Sequence, residues 1–186
     1  MVATIVVLCT GNAARSVMAG AAIEQRGEAH EVITAGTLAV DGMPMSWRTR
    51  AALRSVGLDV PEHRSKQAHA HQLSSADVII ALAPEHVEWV RRNHPSAASR
   101  TATLIRLCTQ LADGDPSTVP LADRIAALGL ADAELGGWEE VVDPGGGEVD
   151  DFIACAGQIS DLVDVLLPLL TDIPVSPAVA PAGGRG

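Results

Sequence analysis

The chain has no tyrosine, one phenylalanine and three tryptophans among its 186 residues. Without a tyrosine, control of the protein by its own tyrosine phosphorylation is excluded. Cysteine is nearly as scarce: Cys9, Cys108 and Cys155 are odd in number and form no CxxC pair. That count speaks against both a disulfide framework and a structural zinc site, so no metal and no cofactor is expected. Basic side chains are outnumbered 13 to 23 by acidic ones, and a formal charge of -10 argues against nucleic acid or an anionic membrane surface as the main partner. No apolar run reaches the roughly 18 residues of a spanning helix, and the N-terminus lacks the basic flank and cleavage pattern of a signal peptide. Cytoplasm is the expected location, and its reducing conditions suit free thiols. There is no internal repeat.

What is present suffices for one sizeable core, since 47% of the residues are hydrophobic. Short β-rich runs alternate with amphipathic stretches, which predicts a four-stranded parallel sheet flanked by helices on both faces. The strands are expected at 3–8, 30–35 (HEVITA), 77–82 (DVIIAL) and 101–106 (TATLIR), and the helices at 15–27, 45–57, 84–93, 119–129 and 149–170. In the last of these, Phe152, Cys155, Ile159, Leu162, Val163 and Leu166 recur at helical spacing, so it should lie across the sheet. Residues 1–170 read as a single domain, and 171–186 as a Pro/Ala/Gly-rich flexible tail that can neither continue a helix nor build a core.

The densest chemistry is in TIVVLCTGNAARSVMAGAA, residues 4–22. It reads as a strand, a turn carrying Cys9 and Arg15, and the opening of an Ala-rich helix. A turn of this kind points successive backbone N–H groups inward at a helix N-terminus, where the helix dipole also favours an oxyanion. Electropositive surroundings favour the thiolate of a cysteine, and an arginine supplies a planar fork that grips two phosphate oxygens together. The plainer reading of the same residues is a buried strand cysteine, an ordinary Gly11-Asn12 turn and a solvated Arg15. A second motif, VVDPGGG, sets Asp143 in a turn just before the last helix. A sulfur nucleophile that displaces an alkoxide or phenoxide needs an acid to protonate the departing oxygen, and Asp143 is the candidate. Asp115-Pro116 is the competing Asp-Pro pair, in a stretch that resembles a linker.

Cys9, Gly11, Asn12, Arg15 and Ser16 together resemble the CxGNxxRS loop of the low-molecular-weight protein tyrosine phosphatases and the related thioredoxin-coupled arsenate reductases. Quieter segments resemble the same family: ITAGT at 33–37 with GMP at 42–44, AALRSVGLDVPEHRSKQ, and ADVIIAL. The resemblance implies a phosphotyrosine protein phosphatase I-like fold and a phosphomonoester hydrolase working through a phosphocysteine. It makes Cys9 the nucleophile, Arg15 the transition-state clamp, and Asp143 acid and then base. Thr10, Gly11, Asn12, Ala13, Ala14 and Ser16 would surround the phosphate, with the Ser16 hydroxyl stabilising the thiolate. Asn12 would hold the loop's shape, with Thr34 as a partner, and His63 would support it. The implied partner is a phosphorylated protein or a small phosphomonoester, and the implied state a monomer. Helix cap, plain strand residue and surface histidine are the ordinary readings of Ser16, Thr34 and His63.

The departures from the family concern substrate choice. Gly145-Gly146 and Leu38-Ala39 stand where tyrosine-directed members carry aromatic walls, and Trp47 or Trp138 would have to compensate. Ala13 favours neither tyrosine nor arginine preference, and Ala14 removes the loop's usual second cysteine. Two other classes compete: an arsenate reductase, which needs a resolving cysteine where this chain has Ala83-Pro84, and a catalytically inactive phosphate-dependent regulatory module. Residues 112–140 are longer than the family needs and are expected to form a lid or partner surface.

Overall fold

Burial along the first strand divides the molecule into two cores. In β1 (Thr4–Cys9) the side chains of Ile5, Val7 and Cys9 face one side of the sheet, and those of Val6 and Leu8 the other. All are buried, as the period of two along a strand requires when both faces are covered. The structure, a computed structural model, describes residues 3–27, 30–113 and 119–170. The proposed tail at 171–186 and the competing Asp115-Pro116 pair lie outside the described residues.

Four parallel strands run in the order β2-β1-β3-β4, with β2 at Glu31–Gly36, β3 at Val78–Ala81 and β4 at Thr101–Thr103. On the Cys9 side pack α1 (Arg15–Arg26), α2 (Trp47–Ser55), α5 (Leu104–Gln110), α6 (Leu121–Ala127) and α7 (Val149–Leu169). On the other side Leu73 of α3 (Ala70–Ser75), Val90 of α4 (Pro84–Asn93) and Ala97 of a following 3-10 turn cover Val6, Leu8 and Ile79. The expected four-stranded sheet with helices on both faces is what the molecule has. Because β1 connects outward to β2 on one side and pairs with β3 on the other, the chain reverses direction at β1/β3. In open α/β sheets a ligand crevice forms at the C-terminal strand ends there. Cys9 is the last residue of β1.

Two elements differ from expectation. The strand expected at 101–106 stops at Thr103, and Leu104–Gln110 is helical. Thr103 is the reason: its Oγ1 accepts a hydrogen bond from the Arg106 amide at 3.2 Å, a cap that starts a helix inside a β-branched sequence. The short α3 carries too few apolar residues to give a period. Elsewhere Ser46 caps α2 through the Thr49 amide at 3.1 Å, so that helix begins two residues later than expected. By length and composition α7 is the one helix among the described residues able to span a membrane, with a mean hydropathy of 1.6. The sequence expectation counted only uninterrupted apolar residues and so passed over it. Its Phe152, Cys155, Ile159, Val163 and Leu166 are buried in the core on one side, as in the amphipathic helix of a folded domain.

Candidate active site

The loop from Thr10 to Ala14 carries the turn from β1 into α1. The carbonyls of Cys9 and Thr10 accept from the Thr37 and Leu38 amides, both at 2.9 Å, which turns them away from the loop's interior. Among the described residues the amides of Gly11, Asn12, Ala13 and Ala14 donate to no protein acceptor. Helix α1 begins after Ala14, which has no side chain able to cap it. An uncapped helix start above a ring of free amides is an anion cradle. Cys9 forms its floor, with Sγ 3.0 Å from Ser16 Oγ.

Asn12 shapes the cradle. Its φ of 49° is left-handed, a conformation asparagine tolerates better than most residues, and it is fully buried. Its Nδ2 donates to Ser16 Oγ at 2.9 Å, which leaves the Ser16 hydrogen free to point at Cys9. Its Oδ1 accepts from the Lys66 amide at 2.9 Å, and its carbonyl from His63 Nε2 at 2.7 Å. Burial, opposed by that hydrogen bond, lowers the pKa of His63 from its ordinary value, so the ring is neutral at physiological pH. The partner expected for Asn12 is different: Thr34 makes no hydrogen bond to it and instead turns its methyl toward Gly20, where a Cβ would lie 2.3 Å away. Gly36, at the end of β2, is equally constrained, since a Cβ there would sit 2.5 Å from the Thr10 carbonyl oxygen. The glycine lets two strand ends approach the cradle closely.

Arg15 is buried at the start of α1, and its guanidinium spans the site. Nη1 donates to the Val141 carbonyl at 3.0 Å and Nη2 to Asp143 Oδ2 at 2.7 Å. Asp143 is about half exposed, and its Oδ1 accepts from the Gly145 amide at 2.9 Å. The Asp143 turn is therefore docked onto the arginine that belongs to the cradle. Cys9, Thr10, Gly11, Ala13, Ala14, Arg15, Asp143 and Gly145 share one cavity of about 260 Å³ with Ser46, Thr49 and Phe152. Asn12 and Ser16 lie beneath it, bonded to its wall, while Thr34 and His63 stand behind the loop.

A buried strut that pattern reading missed delivers Asp143 to this place. Glu139 is fully buried and accepts from Arg106 Nε at 2.7 Å, Thr103 Oγ1 at 2.8 Å and the Gly136 amide at 2.9 Å. Two residues on, the Val141 amide donates to the Leu82 carbonyl at 2.9 Å. Arg91 Nη2 donates to the Leu130 and Ala133 carbonyls, and Arg124 Nη1 to the Leu169 carbonyl. The described part of 112–140 is thus tied down against the domain and is not a free lid. Burial pushes the Glu139 carboxyl up, but hydrogen bonds from Arg106, Gly136 and Thr103 with the Arg106 charge outweigh it, and the pKa is lowered. A depressed carboxylate contributes stability above its unfolded pKa, and that contribution is lost as pH falls through the folded value. Glu139→Gln should cost about 3–5 kcal/mol, because it strands a buried guanidinium. Urea unfolding at neutral pH checks this, and the gap between variant and wild type should shrink in acid.

His86 also escaped the sequence reading. It is fully buried at the start of α4, and its Nε2 lies 3.0 Å from Thr10 Oγ1. The signal available was positional: a polar residue just past the C-terminal end of a central parallel strand. Burial first, then the Arg15 charge, lowers its pKa to about 4 against the pull of Glu85 and Asp143. Neither Trp47 nor Trp138 lines the cavity; each is exposed, with Arg48 and Arg106 respectively stacked 5.2 and 5.5 Å from the ring. The aromatic ring at the cavity is Phe152, counted beforehand only as a core residue. Cys108 and Cys155 are buried, and burial pushes both thiols up to about 11. Cys108 donates to the Leu162 carbonyl at 3.2 Å; neither it nor Cys155 lines this cavity, and Cys155 lines the adjoining one with Asp143 and Gly145.

A β2-β1-β3-β4 parallel sheet with an anion cradle and a cysteine at the end of β1 defines a class of cysteine-based phosphatases. The family model for low molecular weight phosphotyrosine protein phosphatase matches residues 4–120, and the chain belongs to that family. A probable low molecular weight protein-tyrosine-phosphatase, EpsP, of Ralstonia solanacearum is 33% identical over 107 residues, covering 58% of this chain and 72% of the relative. A protein-arginine-phosphatase of Geobacillus stearothermophilus is 26% identical over 163 residues, 87% of this chain and 92% of the relative. The solved structure of the YwlE arginine phosphatase from Geobacillus stearothermophilus superimposes with a TM-score of 0.72 at 25% identity, covering 90% of this chain and 92% of that one. The protein is accordingly a phosphatase.

Proposed function

We propose that the protein removes phosphate from phosphorylated side chains in two steps through a Cys9 phosphocysteine. The observation that carries this reading is that Arg15 touches Asp143 while rooted in the cradle whose floor is Cys9. In the first step the Cys9 sulfur attacks phosphorus in line; a P–S bond forms as the bond to the leaving group breaks. Arg15 exchanges its contact with Asp143 for the equatorial oxygens, which the free amides of the loop also hold. Asp143, protonated, then gives its proton to the departing atom. In the second step water attacks phosphorus, Asp143 accepts its proton, and the thiolate leaves. Ser16, its oxygen already engaged by Asn12, donates its hydrogen to the sulfur and stabilises the thiolate in both steps. The three free cysteines fit a reducing compartment, the cytoplasm.

Selection of the substrate is broad in this reading. Leu38 is exposed after β2 and Gly145 lines the cavity; neither offers a ring to stack on a phenol, which leaves Phe152 as the aromatic side chain at the cavity. Each missing aromatic contact costs tyrosine-directed binding about 1 kcal/mol. Phosphate release from phosphotyrosine and phosphoarginine peptides of one sequence tests this. The expected ratio of kcat/KM lies within about tenfold, equivalent to the loss of one or two such contacts. A preference for phosphotyrosine far beyond that ratio would overturn the claim of an open, unselective wall.

A further inference from the structure

Thr10 follows the nucleophile directly; the residue lines the cavity, and its side-chain oxygen contacts α4. The contact is to His86 Nε2 at 3.0 Å. The other ring nitrogen, Nδ1, is buried and has no hydrogen-bond partner among the described residues. A proton on Nδ1 would be a buried donor without an acceptor, which costs more than a buried lone pair. The single proton of the neutral ring therefore sits on Nε2. Glu85 Oε1, 3.8 Å from the same nitrogen, favours the proton there too. With His86 donating to Thr10 Oγ1, the threonine oxygen acts as acceptor and its own hydrogen is free to turn into the cavity. Only the first of these contacts is needed to orient the hydroxyl.

We propose that His86 is a positioning residue that fixes the Thr10 hydroxyl as an additional donor to the substrate's phosphoryl oxygens. This rests on the reading of the cavity as a phosphate site. The groups around the imidazole are Thr10 on the loop, Glu85 on its own helix, Arg15 on α1 and Asp143 on the docked turn. In the free protein burial and the Arg15 charge keep the ring neutral, so it orients a donor without adding a charge to the empty site. A protonated imidazole would face Arg15 and would need an acceptor at Nδ1.

The test is a double-mutant cycle on the full chain with Thr10→Val and His86→Leu, read by kcat/KM on para-nitrophenyl phosphate and by calorimetric binding of inorganic phosphate. Thr10→Val keeps the shape and removes the hydroxyl, and should weaken phosphate binding and kcat/KM by roughly 10- to 100-fold, the range for one hydrogen bond to an anion. His86→Leu should cost a similar factor, and the double variant no more than Thr10→Val alone, because both act through one hydroxyl. His86→Gln, which keeps an N–H donor, should recover part of the loss. Unchanged phosphate affinity in Thr10→Val overturns the proposal, whether or not His86→Leu folds. Losses that multiply in the double variant overturn it as well. If wild type binds phosphate without turning over any phosphomonoester, the phosphatase mechanism fails, and the Thr10→Val binding constant still decides the role of the hydroxyl.

Discussion

Cys9→Ser should abolish steady-state phosphate release while leaving a folded protein that binds inorganic phosphate. A hydroxyl at this position is far less ionised than a thiol, and among the described residues no basic side chain lies within hydrogen-bond distance of it. The neighbour within hydrogen-bond distance is the Ser16 hydroxyl at 3.0 Å, which can donate to sulfur but cannot carry away a proton. The cradle does not depend on the sulfur: the loop carbonyls are held by the Thr37 and Leu38 amides, and Asn12 by Lys66 and Ser16. Binding and chemistry should therefore separate. Release from para-nitrophenyl phosphate measures one, and calorimetric titration with phosphate the other. Sustained turnover by the variant would remove Cys9 from the mechanism.

Asp143→Ala carries the second largest expected effect, a fall in kcat of about 10²–10⁴-fold. In kcat/KM, which reports the attack step alone, the loss should depend on the leaving group, being small for para-nitrophenolate, which departs unaided, and large for alkyl and phenyl phosphates, which need a proton. KM should not rise. The Asp143 carboxylate occupies Arg15 Nη2 at 2.7 Å in the docked state, so its removal frees that nitrogen for phosphate. A fall in kcat with unchanged or lower KM is the signature of an interaction used in the transition state. An equal loss of kcat/KM for good and poor leaving groups would show that Asp143 gives no proton to the departing atom.

How much could be read beforehand depended on sequence distance. The cradle lies within eight consecutive residues, from Cys9 to Ser16, so its residue types alone imply the local geometry. Asp143 stands out because an Asp-Pro pair just before the last helix resembles the family's acid; its contact with Arg15 spans 128 positions and leaves no periodic trace. Glu139 and Arg106 are 33 positions apart and each looks like an ordinary surface charge until the fold buries both. His86 was hidden in the same way, at the start of a helix that pattern reading placed correctly without asking what its first turn touched. The strand-to-helix switch at Thr103 turned on one side chain capping the Arg106 amide, a local hydrogen bond that overrode the β-branched composition of TATLIR. Likeness to the family pairs Thr34 with Asn12, whereas its methyl fills the space over Gly20.

The covalent step is the centre of this account, and a rapid-quench experiment addresses it most directly. Asp143→Ala protein is mixed with para-nitrophenyl phosphate, stopped within the first turnover, and mapped by peptide mass spectrometry. The expected result is one phosphoryl group per chain, on Cys9, formed in a burst stoichiometric with released nitrophenolate, because removal of the base slows hydrolysis more than attack. Nitrophenolate release with no adduct, or with the phosphoryl group on another residue, would contradict it.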